Sequence, residues 1–195
     1  MTSKSAYQIA IFASGTGTNA RKIIEFFSGE SSVQVSLVVC NKPGAGVLAI
    51  AAEYHIPSLV INKEQFLNGN AYTDELKQAG IELIVLAGFL WKIPSALIAA
   101  YPERIINIHP ALLPKYGGKG MYGHYVHEAV ISAREKESGI TIHLVDEEYD
   151  HGKHLFQSSC PVLPDDTAES LAQRIHALEH AHFAKVIEQY IHSIR

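Results

Sequence analysis

Tyr7 to Ala13 is an apolar run that stops at Ser14-Gly15-Thr16-Gly17-Thr18-Asn19, and apolar residues return at Ile23, Ile24 and Phe27. That order predicts a buried strand, a glycine turn and a helix with one apolar face. The same alternation continues down the chain. Strands are expected at Val33 to Cys40, Pro57 to Ile61, Ile81 to Ala87 and Arg104 to Ile108. Helices are expected at Gly46 to Tyr54, at Ala71 to Gln78 with Gly80 as its C-cap, at Ser95 to Ala100 and at Val126 to Ala133. Asn62 to Gly69 is polar and reads as a loop. Ile140 to Val145 and His154 to Val162 read as a strand pair, and Asp166 with Glu169 as a capping box that opens a long helix. Strands alternating with helices predict an α/β fold: a doubly wound, mostly parallel, Rossmann-like sheet with a mixed C-terminal edge. Residues 1–195 are expected to form a single domain.

Composition narrows the function classes. With 47% hydrophobic and 18% charged residues, the 195-residue chain is ordinary for a globular protein. A net charge of −4 gives no general reason to expect a nucleic-acid partner. Two cysteines, Cys40 and Cys160, sit in apolar runs and suggest no disulfide framework. No apolar run approaches the ~18 residues of a membrane span. Met1 to Ser5 has no apolar stretch like that of a signal peptide, so a cytoplasmic setting is expected.

The glycine turn has a use. Backbone N–H groups at a positive helix end bind phosphate, and Thr18 and Asn19 add side-chain donors there. Gly15, Gly17 and Ala20 also fit a dinucleotide fingerprint, so an NAD(P)-binding oxidoreductase is a rival reading. An NAD site wants an acidic residue after the second strand, where this chain has Cys40-Asn41-Lys42-Pro43. A tight turn that binds nothing is the structural alternative.

Arg104 to Tyr116 carries the chemistry. Asn107 and His109 are two residues apart in a strand, so both side chains leave the same face, and Pro110 then ends the ladder. A carboxamide can donate to an oxyanion, and an imidazole can stabilise charge or move a proton near neutral pH. Asn-x-His-Pro-x-Leu-Leu-Pro-Lys-Tyr at Asn107–Tyr116 resembles the catalytic segment of folate-dependent formyltransferases. Ser-Gly-x-Gly-Thr-Asn at Ser14–Asn19, Leu-Ala-Gly-Phe at Leu86–Phe89, Gly-Ile-Thr-Ile-His at Gly139–His143, Asp150 before Gly152, and Glu179-His180 follow in the expected order. Together they resemble the phosphoribosylglycinamide formyltransferase family of purine biosynthesis.

The resemblance implies transfer of a formyl group from 10-formyltetrahydrofolate to the amine of 5′-phosphoribosylglycinamide. No metal, nucleic acid or membrane is required, and the chain would be a monomer or homodimer. It implies Asn107, His109 and Asp150 as the catalytic trio. It assigns Gly17, Thr18 and Asn19 to the ribonucleotide phosphate, with Pro110 and Glu179 also on that substrate. Leu90, Trp91, Lys92, Ile93, Asn107 and Val145 would meet the folate. Asp150 beside His109 would favour the imidazolium form. Trp91-Lys92 departs from the pattern, which often has Arg and then an apolar residue. A folate- or nucleotide-binding protein without turnover is the non-enzyme alternative.

Overall fold

The computed structural model describes residues 6–29, 32–68 and 71–195. Its strands are β1 (Tyr7–Ala13), β2 (Val33–Cys40), β3 (Ser58–Val60), β4 (Leu83–Leu86), β5 (Ile105–His109), β6 (Glu137–Leu144) and β7 (His154–Pro161). They form one mostly parallel sheet in the order β3-β2-β1-β4-β5-β6-β7. Interleaved are α1 (Thr18–Phe27), α2 (Gly46–Glu53), α3 (Lys63–Asn68), α4 (Ala71–Gln78), α5 (Ser95–Ala100), α6 (His124–Ser132) and α7 (Ala168–Ile194). The chain divides into two compact units, 1–106 and 107–195.

In the first unit β1 lies parallel to both β2 and β4, with Ile9 opposite Val35 and Leu83. Ile9, Ile11, Phe12, Leu83, Ile84 and Val85 are essentially free of solvent contact. Continuous apolar strands of this kind are what a parallel sheet covered on both faces demands. Each such side chain contributes about 1.5–3 kcal/mol of burial. α1 turns Ala20, Ile23, Ile24 and Phe27 inward, the face its spacing predicts.

In the second unit β6 and β7 run antiparallel, with Ile140 opposite Ser158. The register shifts between Ile142 and His143, so Leu155 is left over on β7. Such a bulge re-aims the side chains around it. α7 packs against α6, β6 and β7 through Leu171, Ile175, Phe183, Ile187 and Ile191.

Two expectations fail for local reasons. The polar stretch after Asn62 is helix α3 up to Asn68, and Gly69 lies outside the described residues. Asn62 caps it, its Oδ1 accepting from Glu64 N at 2.9 Å, and Phe66 anchors it in the core. The capping box of α7 is Thr167 with Ser170, one residue later than Asp166 with Glu169. Asp166 is drawn away by Arg174, whose guanidinium holds its carboxyl well below the usual carboxylate range.

Candidate active site

β5 ends at His109, and the alternation of its residues leaves Asn107 half-buried and His109 buried. His109 Nε2 lies 2.8 Å from the carbonyl oxygen of Tyr116. A carbonyl only accepts, so Nε2 carries a proton. The other ring nitrogen, Nδ1, lies 3.6 Å from Asp150 Oδ1. Asp150 itself adopts a left-handed backbone, φ 54°, in the turn joining β6 to β7, a conformation that Asp tolerates better than most residues. Its Oδ2 accepts from the Gly118 N–H at 2.9 Å. The Asn107, His109 and Asp150 predicted from the sequence are thus neighbours within the second unit.

A fourth side chain joins them. His143 on β6 is buried, and its Nε2 lies 3.1 Å from Asn107 Nδ2 and 3.6 Å from Asp150 Oδ1. Its Nδ1 is 2.8 Å from its neighbour's carbonyl, that of Leu144. The sequence marks His143 only as the end of the Gly139–His143 motif and assigns it no role, because nothing local tells which strand β6 meets.

Thr141 secures the segment that follows β5. It is fully buried, its Oγ1 donates to Ala111 O at 2.7 Å, and it accepts from Leu113 N at 3.0 Å and Gln157 Nε2 at 2.8 Å. Gly152 allows the Asp150 turn to close, since a Cβ there would fall 1.9 Å from Leu144 O.

The electrostatics set burial against the expected pull of Asp150. Burial pushes the His109 imidazole below its usual range, and the opposing pull of Asp150 and of the Tyr116 carbonyl does not cancel it. Asp150 does favour the imidazolium, but desolvation wins in the free protein. Burial alone would raise the Asp150 carboxyl. The His143 and His109 rings and the Gly118 N–H outweigh it and hold the group below the usual carboxylate range. The arrangement offers a fixed carboxylate, a buried imidazole and an amide donor around one point, the parts that oxyanion stabilisation and proton transfer require.

In the first unit Gly17 is the N-cap of α1, with φ 80°. Thr18 and Asn19 open the helix, Thr18 exposed and Asn19 half-buried. A Cβ on Gly17 would sit 2.8 Å from Val47 Cα, so this glycine is required by packing on α2 as well as by its backbone. Ser14 ties the turn to the end of β4, its N–H donating to Gly88 O at 3.0 Å and its Oγ accepting from Leu90 N at 2.9 Å. Of the expected folate residues, Leu90 is exposed, Ile93 is buried, and Trp91 packs on Phe66 and Phe89 at ring distances of 5.9 and 6.2 Å. Lys92 and Ile93 border a cavity of about 380 Å³ with Leu67 and Ser95. In the second unit Pro110 directly follows His109, Val145 is half-buried, and Glu179 is buried on α7.

Comparison with known proteins defines the class. The family model for formyl transferase matches residues 7–187, and the chain belongs to that family. A chloroplastic phosphoribosylglycinamide formyltransferase of Arabidopsis thaliana is 44% identical over 92% of this chain, which spans 64% of that relative's length. The phosphoribosylglycinamide formyltransferase of Bacillus subtilis is 37% identical and matched over 94% of both chains. The crystal structure of the Bacillus halodurans phosphoribosylglycinamide formyltransferase superposes with a TM-score of 0.86 at 33% identity, covering 96% of this chain and 97% of that one. No helix among the described residues is long and apolar enough to cross a membrane.

Proposed function

We propose that this chain transfers the formyl group of 10-formyltetrahydrofolate to the amine of 5′-phosphoribosylglycinamide. It would act as a single catalytic domain in the cytoplasm, as a monomer or homodimer, on two small-molecule substrates. The observation that carries the reading is the cluster of Asn107, His109 and Asp150, with contacts of 3.6 Å or less to His109 and His143, inside a family match of residues 7–187.

In this reading the amine lone pair attacks the formyl carbon and the carbonyl electrons move to oxygen. Asn107 donates an N–H to that oxyanion. Negative charge forming beside His109 raises the proton affinity of its ring and offsets the effect of burial, so the imidazolium is favoured in the transition state. Asp150 holds a water that takes the proton from the attacking nitrogen. The bond from carbon to the folate nitrogen then breaks, and that nitrogen accepts the proton while the carbonyl re-forms. Gly17, Thr18 and Asn19 hold the ribonucleotide phosphate at the start of α1. Pro110 and Glu179 contact the same substrate. Leu90, Trp91, Lys92, Ile93, Asn107 and Val145 line the folate.

The test is a direct assay of formyl transfer between these substrates, followed spectroscopically as folate product forms. Turnover that needs both substrates supports the reading. Saturable NAD(P)H binding without formyl transfer replaces it by an oxidoreductase, and folate binding without turnover by a carrier.

A further inference from the structure

We propose that His143 is a positioning residue that sets the orientation of the Asn107 carboxamide. The proposal rests on the formyl-transfer reading and adds a residue to it.

His143 Nδ1 is 2.8 Å from the Leu144 carbonyl, which offers only lone pairs. Nδ1 must therefore carry the proton. In the neutral ring this leaves Nε2 as an acceptor. A carboxamide facing an acceptor at 3.1 Å must present its nitrogen, so Asn107 donates one N–H from Nδ2 to His143 Nε2. The reversed amide would point its oxygen at a lone pair. The tautomer of His143 thus decides which end of Asn107 is which, and leaves the second N–H of Nδ2 free to meet the formyl oxygen.

The surroundings fix the position of the ring. His143 has about 2% of its surface exposed, and the extra residue Leu155 on β7 lies beside it in the ladder. Asp150 Oδ1 lies 3.6 Å from Nε2, too far for a hydrogen bond. A ring protonated on Nε2 would become a donor to that carboxylate and would no longer accept from Asn107. One nitrogen therefore links two of the three proposed catalytic side chains and touches no reacting atom itself.

A histidine held in the core by Leu144 alone is the competing explanation, and three variants separate the two. His143→Gln keeps an acceptor where Nε2 stands. His143→Asn keeps a donor to Leu144 and has no such acceptor. His143→Leu keeps neither. Steady-state kinetics should show kcat lowered roughly 10- to 100-fold in the Leu and Asn variants, the scale of a misplaced catalytic group. KM for both substrates should change little, and Gln should recover most of kcat. In an Asn107→Ala background, His143→Leu should cost little more, because its effect passes through Asn107. Recovery by Asn in place of Gln, or an equal further loss in the Asn107→Ala background, overturns the proposal.

A readout independent of turnover is ¹⁵N NMR of histidine-labelled protein. His143 Nε2 should appear unprotonated, with a signal that moves in Asn107→Ala. A protonated Nε2, or a signal blind to Asn107, also overturns it. If the wild-type protein transfers no formyl group, the proposed function fails, and the NMR result still decides the orientation.

Discussion

The Asp150 carboxylate lies 3.6 Å from Nδ1 of His109, and both side chains are nearly excluded from water, 11% and 4% exposed. At that distance and burial each group pulls the other toward its charged form, because the field between them is weakly screened. Removing either one removes what the other is placed to do.

Asp150→Asn keeps the shape of the turn and removes the charge, and His109→Ala removes the ring. Each should lower kcat by roughly 10²-fold or more, the scale of lost acid–base or oxyanion catalysis. KM should change much less, because the interactions are made mainly in the transition state. The double variant should be little worse than the poorer single one. Steady-state kinetics on all three, with circular dichroism as a check of folding, makes the measurement. Near-normal kcat in Asp150→Asn would reduce Asp150 to a loop acid.

Thr141→Val is the stability counterpart. Gln157 is exposed and keeps its bond to Leu113 O, but the buried hydroxyl also joins Ala111 O and Leu113 N, and Val partners neither of these. Stranding those buried groups should cost about 2–3 kcal/mol. Urea denaturation should show a lower midpoint with an unchanged slope.

The parts legible in the sequence were those governed by neighbours along the chain. Period-2 and helical spacing located each strand and most helices, because burial repeats with the element. Asn107 and His109 on one strand face followed from the same rule. The helix after Asn62 was missed because one cap and one anchor, Phe66, suffice for six residues, and its polar composition hid both. The cap of α7 was placed one residue early because Asp166 has a distant competitor in Arg174. His143 stayed hidden for a similar reason. Its partner is 36 residues away, on another strand, and no local pattern encodes that contact. The burial that opposes Asp150 at His109 is a tertiary quantity and has no local signature.

The glycine turn yields a contrast between two neighbours. Gly15 has nothing within 4 Å of a built Cβ, whereas Gly17 has Val47 at 2.8 Å and a positive φ. Gly15→Ala should therefore leave the thermal midpoint nearly unchanged, and Gly17→Val should lower it clearly, by overpacking and backbone strain together. Loss of ribonucleotide binding in Gly17→Val would then reflect folding as well as phosphate contact. Asn19→Ala is the cleaner probe of the phosphate, and it should weaken ribonucleotide binding and leave folate binding intact. Equal loss of both ligands in a folded Asn19→Ala protein would argue against that division of the site.

His127 on α6 should make the fold sensitive to mild acid. The ring is 2% exposed, and its Nδ1 has no hydrogen-bond partner among the described residues. Burial, aided by the nearby His176, His124 and His109, pushes its pKa from 6.5 down to about 4. The sign follows from which state takes the proton. Above pH 6.5 the ring is neutral folded or unfolded, and no stability is lost. As pH falls from 6.5 to about 4, the unfolded chain is protonated first, so unfolding gains free energy. Below about 4 both states are charged and this loss stops growing. Across the window the loss is about 3 kcal/mol. His127→Phe keeps a ring in the core and removes the titration. Urea midpoints measured at several pH values should fall with acid in the wild type and fall less steeply in the variant. Parallel curves for the two proteins would show that His127 escapes to water on protonation and that other groups set the acid limit.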